Sequence, residues 1–250
     1  MAISANSLIH YTRKFEFLLG ILRNRGFKFS YCSEKLKTRG SKNYTAAIGM
    51  VSFCDIPISD YKKHFYNKRN TGDLGYYGDY GIGLSKKWAS EKGLNPVLYI
   101  DQNSFVSHSL RKAYESLLNE AGEIIDLDDH TPILYAKNYE GELVRGSEVV
   151  HKKYRFYDER EWRLVPKTES IAMNPPIVDD KKYRFNKDGY NQRLENYLLK
   201  FELQDISYII VKETSEIQLV YETLSSIFNR SIIDLQSITI LTSEQIVGDF

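Results

Sequence analysis

The stretch Asp158-Glu159-Arg160-Glu161-Trp162-Arg163-Leu164-Val165 decides how this chain is read. Taken as a strand, its period of two sends Glu159, Glu161, Arg163 and Val165 to one face, and the stem of Arg160, Trp162 and Leu164 to the other. Trp162 and Leu164 are the core-facing set. The opposite face mixes carboxylates with a guanidinium, and such a face is either an ordinary solvated pair or the lining of a cleft. In a cleft, a carboxylate between guanidinium groups stays ionised and stabilises developing positive charge. One strand does not separate the two readings, because structural ion-pair networks fill the same pattern.

Working back from that strand, Lys152-Lys-Tyr-Arg-Phe-Tyr157 runs directly into it, and residues 123–150 are mixed and acidic without a readable period. Residues 107–122 read as an amphipathic helix. Asn95-Pro-Val-Leu-Tyr-Ile100 and Gly81-Ile-Gly-Leu-Ser85 read as short strands, with a helical turn after the cap-like Ser85. The apolar run Ile48-Gly-Met-Val-Ser-Phe-Cys-Asp55 is a buried strand closed by Pro57. Residues 60–80, rich in Tyr, Lys, Asn and Gly, and residues 34–44 are expected to be loops. Near the start, Ser7 to Thr12 reads as a strand, and Phe15, Leu18, Leu19 and Leu22 lie at helical spacing up to a stop at Gly26. Beyond the charged strand, Ile206 to Val211, a helix opened by a Ser215-x-x-Gln218 box, and Ser237 to Leu241 have the order of a βαβ unit.

The whole chain limits what these elements do. Its 250 residues suffice for a substantial core without disulfides or metals. With 34 Lys plus Arg against 33 Asp plus Glu, no global field announces a nucleic acid or an acidic partner. Two cysteines, Cys32 and Cys54, make no disulfide framework. The scattered His64, His108, His130 and His151 make no metal signature. The start of the chain lacks a basic and apolar leader, and no apolar run reaches the ~18 residues of a membrane span, so a soluble cytoplasmic protein is expected. The 19 Tyr and 12 Phe, often beside Lys or Arg, suit half-buried strands and the stacking of planar ligands alike. Tyr61-Lys-Lys-His-Phe-Tyr-Asn-Lys-Arg-Asn70 interleaves cations with aromatics, as a nucleic-acid contact or a solvated loop does.

The order of His10-Tyr11-Thr12, then Tyr80-Gly-Ile-Gly-Leu-Ser85 before a helix, then Glu159-Arg-Glu161 resembles the ADP-ribosyltransferase superfamily, in particular its DarT-like and poly(ADP-ribose) polymerase branches. Phe53-Cys-Asp-Ile-Pro-Ile-Ser59, Tyr80-Gly-Ile-Gly-Leu84, Asn95-Pro-Val-Leu-Tyr99 and Glu159-Arg-Glu-Trp-Arg163 are similar to the AbiGi family of bacterial abortive-infection proteins, over most of residues 8–165. The resemblance implies an α+β fold: a split, mainly antiparallel central sheet with flanking helices, residues 1–205 forming the core and residues 206–250 a βαβ tail packed on it, in one domain.

It implies NAD as the ADP-ribose donor and no metal. Glu161 becomes the catalytic carboxylate that stabilises an oxocarbenium-like ribose, with Glu159 two positions before it orienting the acceptor. His10 and Thr12 hold the adenosine ribose, Tyr80 or Tyr77 stacks on nicotinamide, and Tyr11 and Leu84 lie beside them. The chain departs from the polymerase pattern at Gly83, where a Tyr is expected. Two roles follow: a transferase toxin of an anti-phage toxin–antitoxin system acting on RNA or DNA, or an inactive transferase-like antitoxin or regulatory partner of a separate protein. Each residue also has a purely structural reading: His10 as a core histidine, Thr12 as the cap of the helix near Arg13, and Tyr76, Tyr77 and Tyr80 as loop residues packed on the sheet.

Overall fold

A computed structural model describes residues 5–38, 43–61, 77–117, 123–124, 131–145 and 148–249. The strands run in chain order β1 (Ser7–Thr12), β2 (Gly26–Lys28), β3 (Ser30–Lys37), β4 (Asn43–Cys54), β5 (Tyr80–Ser85), β6 (Asn95–Pro96), β7 (Leu98–Ile100) and β8 (Glu123–Ile124). There follow β9 (Ala136–Asn138), β10 (Glu140–Arg145), β11 (Glu148–Arg155), β12 (Glu161–Leu164), β13 (Ile177–Asp179), β14 (Leu198–Lys200), β15 (Ile206–Val211) and β16 (Thr239–Thr242).

The spine of the fold is β4. Its run from Ala46 to Cys54 is almost continuously apolar and is buried on both faces, as a central strand demands. The sheet divides along it. The end at Val51 to Cys54 pairs with β12 on one side and meets β1 at Cys54 on the other, whereas the start pairs with β13 and β3. From β1 the sheet continues through β5 to β15 and β16, and among the described residues it has ten strands. Its pairings are antiparallel except β15 with β16, which are joined by the helix Ile217–Phe228; outside it β7 and β9 form a separate parallel pair. The fold is therefore a mixed α+β one with a mainly antiparallel sheet.

The main core lies under the face carrying Leu8, Val51, Phe53, Ile82 and Leu84, covered by the helices Phe15–Asn24 and Ile217–Phe228 and by Trp88. The other face carries a smaller cluster around Ile9, Tyr61, Tyr208 and Ile210. No helix among the described residues is long and apolar enough to cross a membrane.

Several local expectations are corrected. Residues 34–37 are not loop: β3 runs to Lys37 because its backbone pairs with β4 along its whole length, with Cys32, Ser33 and Lys35 exposed. The first helix ends at Asn24 with Arg25, not Gly26, in the left-handed cap (φ 47°, ψ 43°), and Gly26 already begins β2. Thr12 does not cap that helix, whose N-cap is Lys14 without a side-chain bond. The box before the helix at 217 is formed by Glu213 and Glu216, not by Ser215 and Gln218. Most of the 60–80 loop, with Tyr76, His64 and the basic aromatic run after Tyr61, lies outside the described residues, as do His130 and the end of the 107–122 helix.

Candidate functional site

Chemistry concentrates where β12 meets β4 and the segment before β10. The strand after Arg160 is only four residues long, and Glu159 precedes it in a 3-10 turn. Arg160 between them is left-handed (φ 42°), so the chain turns back before the strand begins. Glu159 is thus not a strand neighbour of Glu161. The two carboxylates converge all the same, because Lys137 on β9 bonds both, Nζ lying 2.8 Å from Glu159 Oε2 and 2.8 Å from Glu161 Oε2. Arg163 holds the other oxygen of Glu161, with Nε at 3.0 Å and Nη2 at 2.9 Å from Oε1. Its Nη2 reaches Glu34 Oε1 at 3.2 Å and its Nη1 donates to the Leu134 carbonyl at 3.1 Å. Tyr99 Oη accepts from the Glu161 backbone N–H at 2.7 Å.

This network is deep. Arg163 is 0 % exposed, and Glu159 and Glu161 are each 7 % exposed. Burial alone pushes the Glu161 carboxyl up, but Arg163 and Lys137 override it and hold its pKa at about 2. Burial likewise pulls the Lys137 ammonium down, and Glu159 with Glu161 more than reverses this. The cluster is three carboxylates on two cations, with both oxygens of Glu161 held. Trp162 and Leu164 pack against the main core, as the alternation of the strand requires, so this strand is covered on both faces.

The remaining candidates divide between the two faces of the sheet. Ile9, Cys54 and Glu161 are directly opposite one another across β1, β4 and β12 and so share a face. Tyr11 belongs to that face, stacked on Tyr61 at 4.9 Å and tilted against Tyr77 at 5.9 Å. Tyr77 sits close enough to Glu159 that the carboxylate adds to the upward shift that burial gives its phenol. Tyr61 Oη donates to the Gly78 carbonyl. At Gly78 (φ 126°) a Cβ would lie 2.0 Å from the Thr12 carbonyl oxygen, so only glycine brings Tyr77 to this place.

His10, Thr12, Tyr80 and Leu84 lie on the opposite face. His10 Nδ1 is 2.8 Å from the Ser52 carbonyl, and its ring packs on Phe27 at 4.9 Å and Phe53 at 5.5 Å. Burial lowers its pKa. Tyr80 Oη donates to Glu216 at 2.8 Å, and Leu84 is wholly buried in the main core. At Gly83 a Cβ would stand 2.7 Å from the ring of Tyr208, which fills the space over this glycine on the Glu161 face. The structure therefore brings Glu159, Glu161, Tyr11 and Tyr77 together and separates them from His10, Thr12, Tyr80 and Leu84. The residues expected to bind NAD are thus divided between the two faces of the sheet. Among the described residues no group of His, Cys, Asp and Glu is placed to hold a metal ion. Lys137, the hub of the cluster, was missed: it stands in the least periodic part of the sequence, and no local signal marks it.

The titrations give an expected pH response. Glu161 has a folded pKa below its ordinary value of 4.5, so its contribution is present above that value and is lost as pH falls toward about 2. His10 has a folded pKa below 6.5, so the unfolded chain takes its proton first and stability begins to fall below that pH. Urea midpoints measured from about pH 8 to about pH 3 are expected to fall in two steps. His10→Gln should flatten the upper step and Glu161→Gln the lower; a midpoint constant over this range would contradict the geometry.

Residues 26–212 match a family model described as "Putative abortive phage resistance protein AbiGi, antitoxin". An abortive phage resistance protein AbiGi of Lactococcus lactis subsp. cremoris is 32 % identical over 182 residues, which is 66 % of this chain and 71 % of the relative. No solved structure matches the chain.

Proposed function

This chain belongs to the AbiGi family of abortive phage resistance proteins, and from that premise we propose that it acts as the antitoxin-type binding partner of a separate toxin in anti-phage defence. On this reading the chain keeps a transferase-like split sheet as a scaffold without using it for catalysis. The observation that carries it is the division of the motif: His10 and Thr12 face a packed core, while Glu161 lies across the sheet with both oxygens held by Lys137 and Arg163. A carboxylate so neutralised has little charge left to offer a cationic transition state. Tyr208 over Gly83 adds to this, since it occupies the space where a stacking side chain at position 83 would project. The word "antitoxin" in the family's description agrees with the reading.

The second reading is an NAD-dependent ADP-ribosyltransferase toxin acting on RNA or DNA. In its favour stand two buried acidic side chains, Glu159 and Glu161, one of them held ionised far below its usual pKa, next to the ring of Tyr77. Expression separates the two. The antitoxin reading expects that the chain alone leaves bacterial growth unchanged, and that removing it from cells carrying the whole defence system arrests them. Growth arrest by the chain alone, relieved by Glu161→Gln and accompanied by transfer of label from NAD to nucleic acid, would establish the transferase and overturn the proposal.

A further inference from the structure

The edge of β3 that faces away from β4 is sealed at its two ends and open between them. At one end the Tyr31 N–H donates to Asn191 Oδ1 at 2.8 Å and the Tyr31 carbonyl accepts from Tyr183 Oη at 2.6 Å. At the other the Lys37 N–H donates to Asn138 Oδ1 at 2.6 Å, and the Lys37 carbonyl accepts from Asn138 Nδ2 at 2.9 Å. Both residues thus turn their backbone groups outward. The β3–β4 register runs without a bulge, so the alternation of an antiparallel ladder turns Ser33 and Lys35 outward as well. Their outward N–H and C=O groups have no partner among the described residues. Between the two asparagine clamps lie six residue steps, about 20 Å of strand.

Beside this edge is a cleft of about 970 Å³, walled by β3, the start of β10 and the helices Asp180–Phe185 and Lys187–Leu194. Six cations line it against the three carboxylates Glu34, Glu142 and Asp180. Those carboxylates are engaged: Glu34 with Arg163, Asp180 with Arg184, and Glu142 with both Lys35 and Lys37. Lys181 and Lys187 are exposed and have no acidic partner among the described residues.

We propose that this edge binds an extended, acidic peptide segment of a partner protein as an added strand, which pairs with the outward groups of Ser33 and Lys35 while its carboxylates meet Lys181 and Lys187. The inference rests on the binding-partner reading above and names the surface through which it works. Alternating N–H and C=O groups at strand spacing are matched by another peptide backbone and not by a sugar-phosphate chain, whose 2′-hydroxyls and phosphates do not alternate donor and acceptor at that spacing. Lysines on an edge also discourage pairing with neutral strands, so an acidic sequence is the one admitted.

The probe is a short fluorescein-labelled peptide of alternating valine and glutamate, followed by anisotropy with the full chain. Compared with it are the same peptide N-methylated along its backbone, a valine–lysine version, and oligouridine. Saturable binding by the acidic peptide alone is expected, weakened about tenfold by Lys181→Glu and by Ser33→Pro. The Ser33 N–H faces outward, so proline there removes no ladder bond, and an unchanged melting temperature verifies the fold. No binding by the acidic peptide, equal binding of the N-methylated peptide, or tighter binding of oligouridine would each overturn the proposal. If Ser33→Pro fails to fold, N-methylation and Lys181→Glu still decide. A chain that protects cells from the toxin but whose folded Ser33→Pro and Lys181→Glu variants protect equally refutes this surface and leaves the antitoxin reading standing. Peptide binding by a chain that itself arrests growth does the reverse.

Discussion

Arg163→Met lowers the melting temperature by roughly 10 °C or more. The side chain is 0 % exposed and holds Glu161, Glu34 and the Leu134 carbonyl at once. Methionine fills most of the volume, so the loss is electrostatic: the buried Glu161 carboxylate and the Leu134 carbonyl lose a partner away from water, and Glu34 at the cleft wall loses its ion pair. Breaking a buried pair by removing one partner costs about 3–5 kcal/mol. In a chain of this size each kcal/mol shifts the midpoint by roughly 2–4 °C. Adding Glu161→Leu to Arg163→Met should recover part of the loss, because it removes the carboxylate left most exposed to the change. A single variant that melts with the wild type would mean that the network is open to water and that the burial described above is wrong.

The second large effect is expected at Gly83. A Cβ there would meet three carbons of the Tyr208 ring at 2.7–2.9 Å, with β1 on one side of the strand and β15 on the other. Gly83→Val therefore overpacks a site with no room to relax, at a cost of about 3 kcal/mol. Tyr208→Ala alone empties part of the cluster of Ile9, Tyr61, Ile210 and Ile246 and costs a similar amount. The double variant should be less destabilised than the sum by about 1–3 kcal/mol, since each change relieves the other. Additive losses in chemical denaturation would show that the two residues do not share the space. The same cycle bears on position 83 itself: Gly83→Tyr, which introduces the residue expected of the polymerase pattern, has to expel Tyr208 before it can stack on anything.

Much of the fold was legible because it depends on local pattern. The apolar run at 48–55 reads as a buried strand, and the βαβ order of the tail follows from two apolar runs around an amphipathic helix. The separation of Glu161 from Trp162 came from the same alternation. That rule, applied to His10-Tyr11-Thr12, would also have sent His10 and Tyr11 to opposite faces, and register then carries Glu161 to the side of Tyr11. What stayed hidden depends on distant partners or on single backbone angles. Nothing near Lys137 points to Glu159 and Glu161, which lie 22 and 24 residues further on. The left-handed turns at Arg25 and Arg160 use a residue type that rarely adopts them, so a helix stop was assigned to Gly26 and a strand was started too early. The glycine at 83 made sense only with Tyr208 in place.

The spine strand β4 finally governs how the chain reaches this structure. Its partners come from both ends of the sequence: β3 is close by, but Cys54 waits for Glu161, Ile48 waits for Ile177, and Ile82 of the adjoining ladder waits for Ile209. Most of the sheet must therefore be closed over long loops before its contacts reward the entropy spent, which places the protein among slowly maturing topologies. While the later strands are still absent, the stretches of β4 that await β12 and β13 stand ready to pair with any neighbour. A nascent chain of this architecture is at its most adhesive before residues 161–211 arrive.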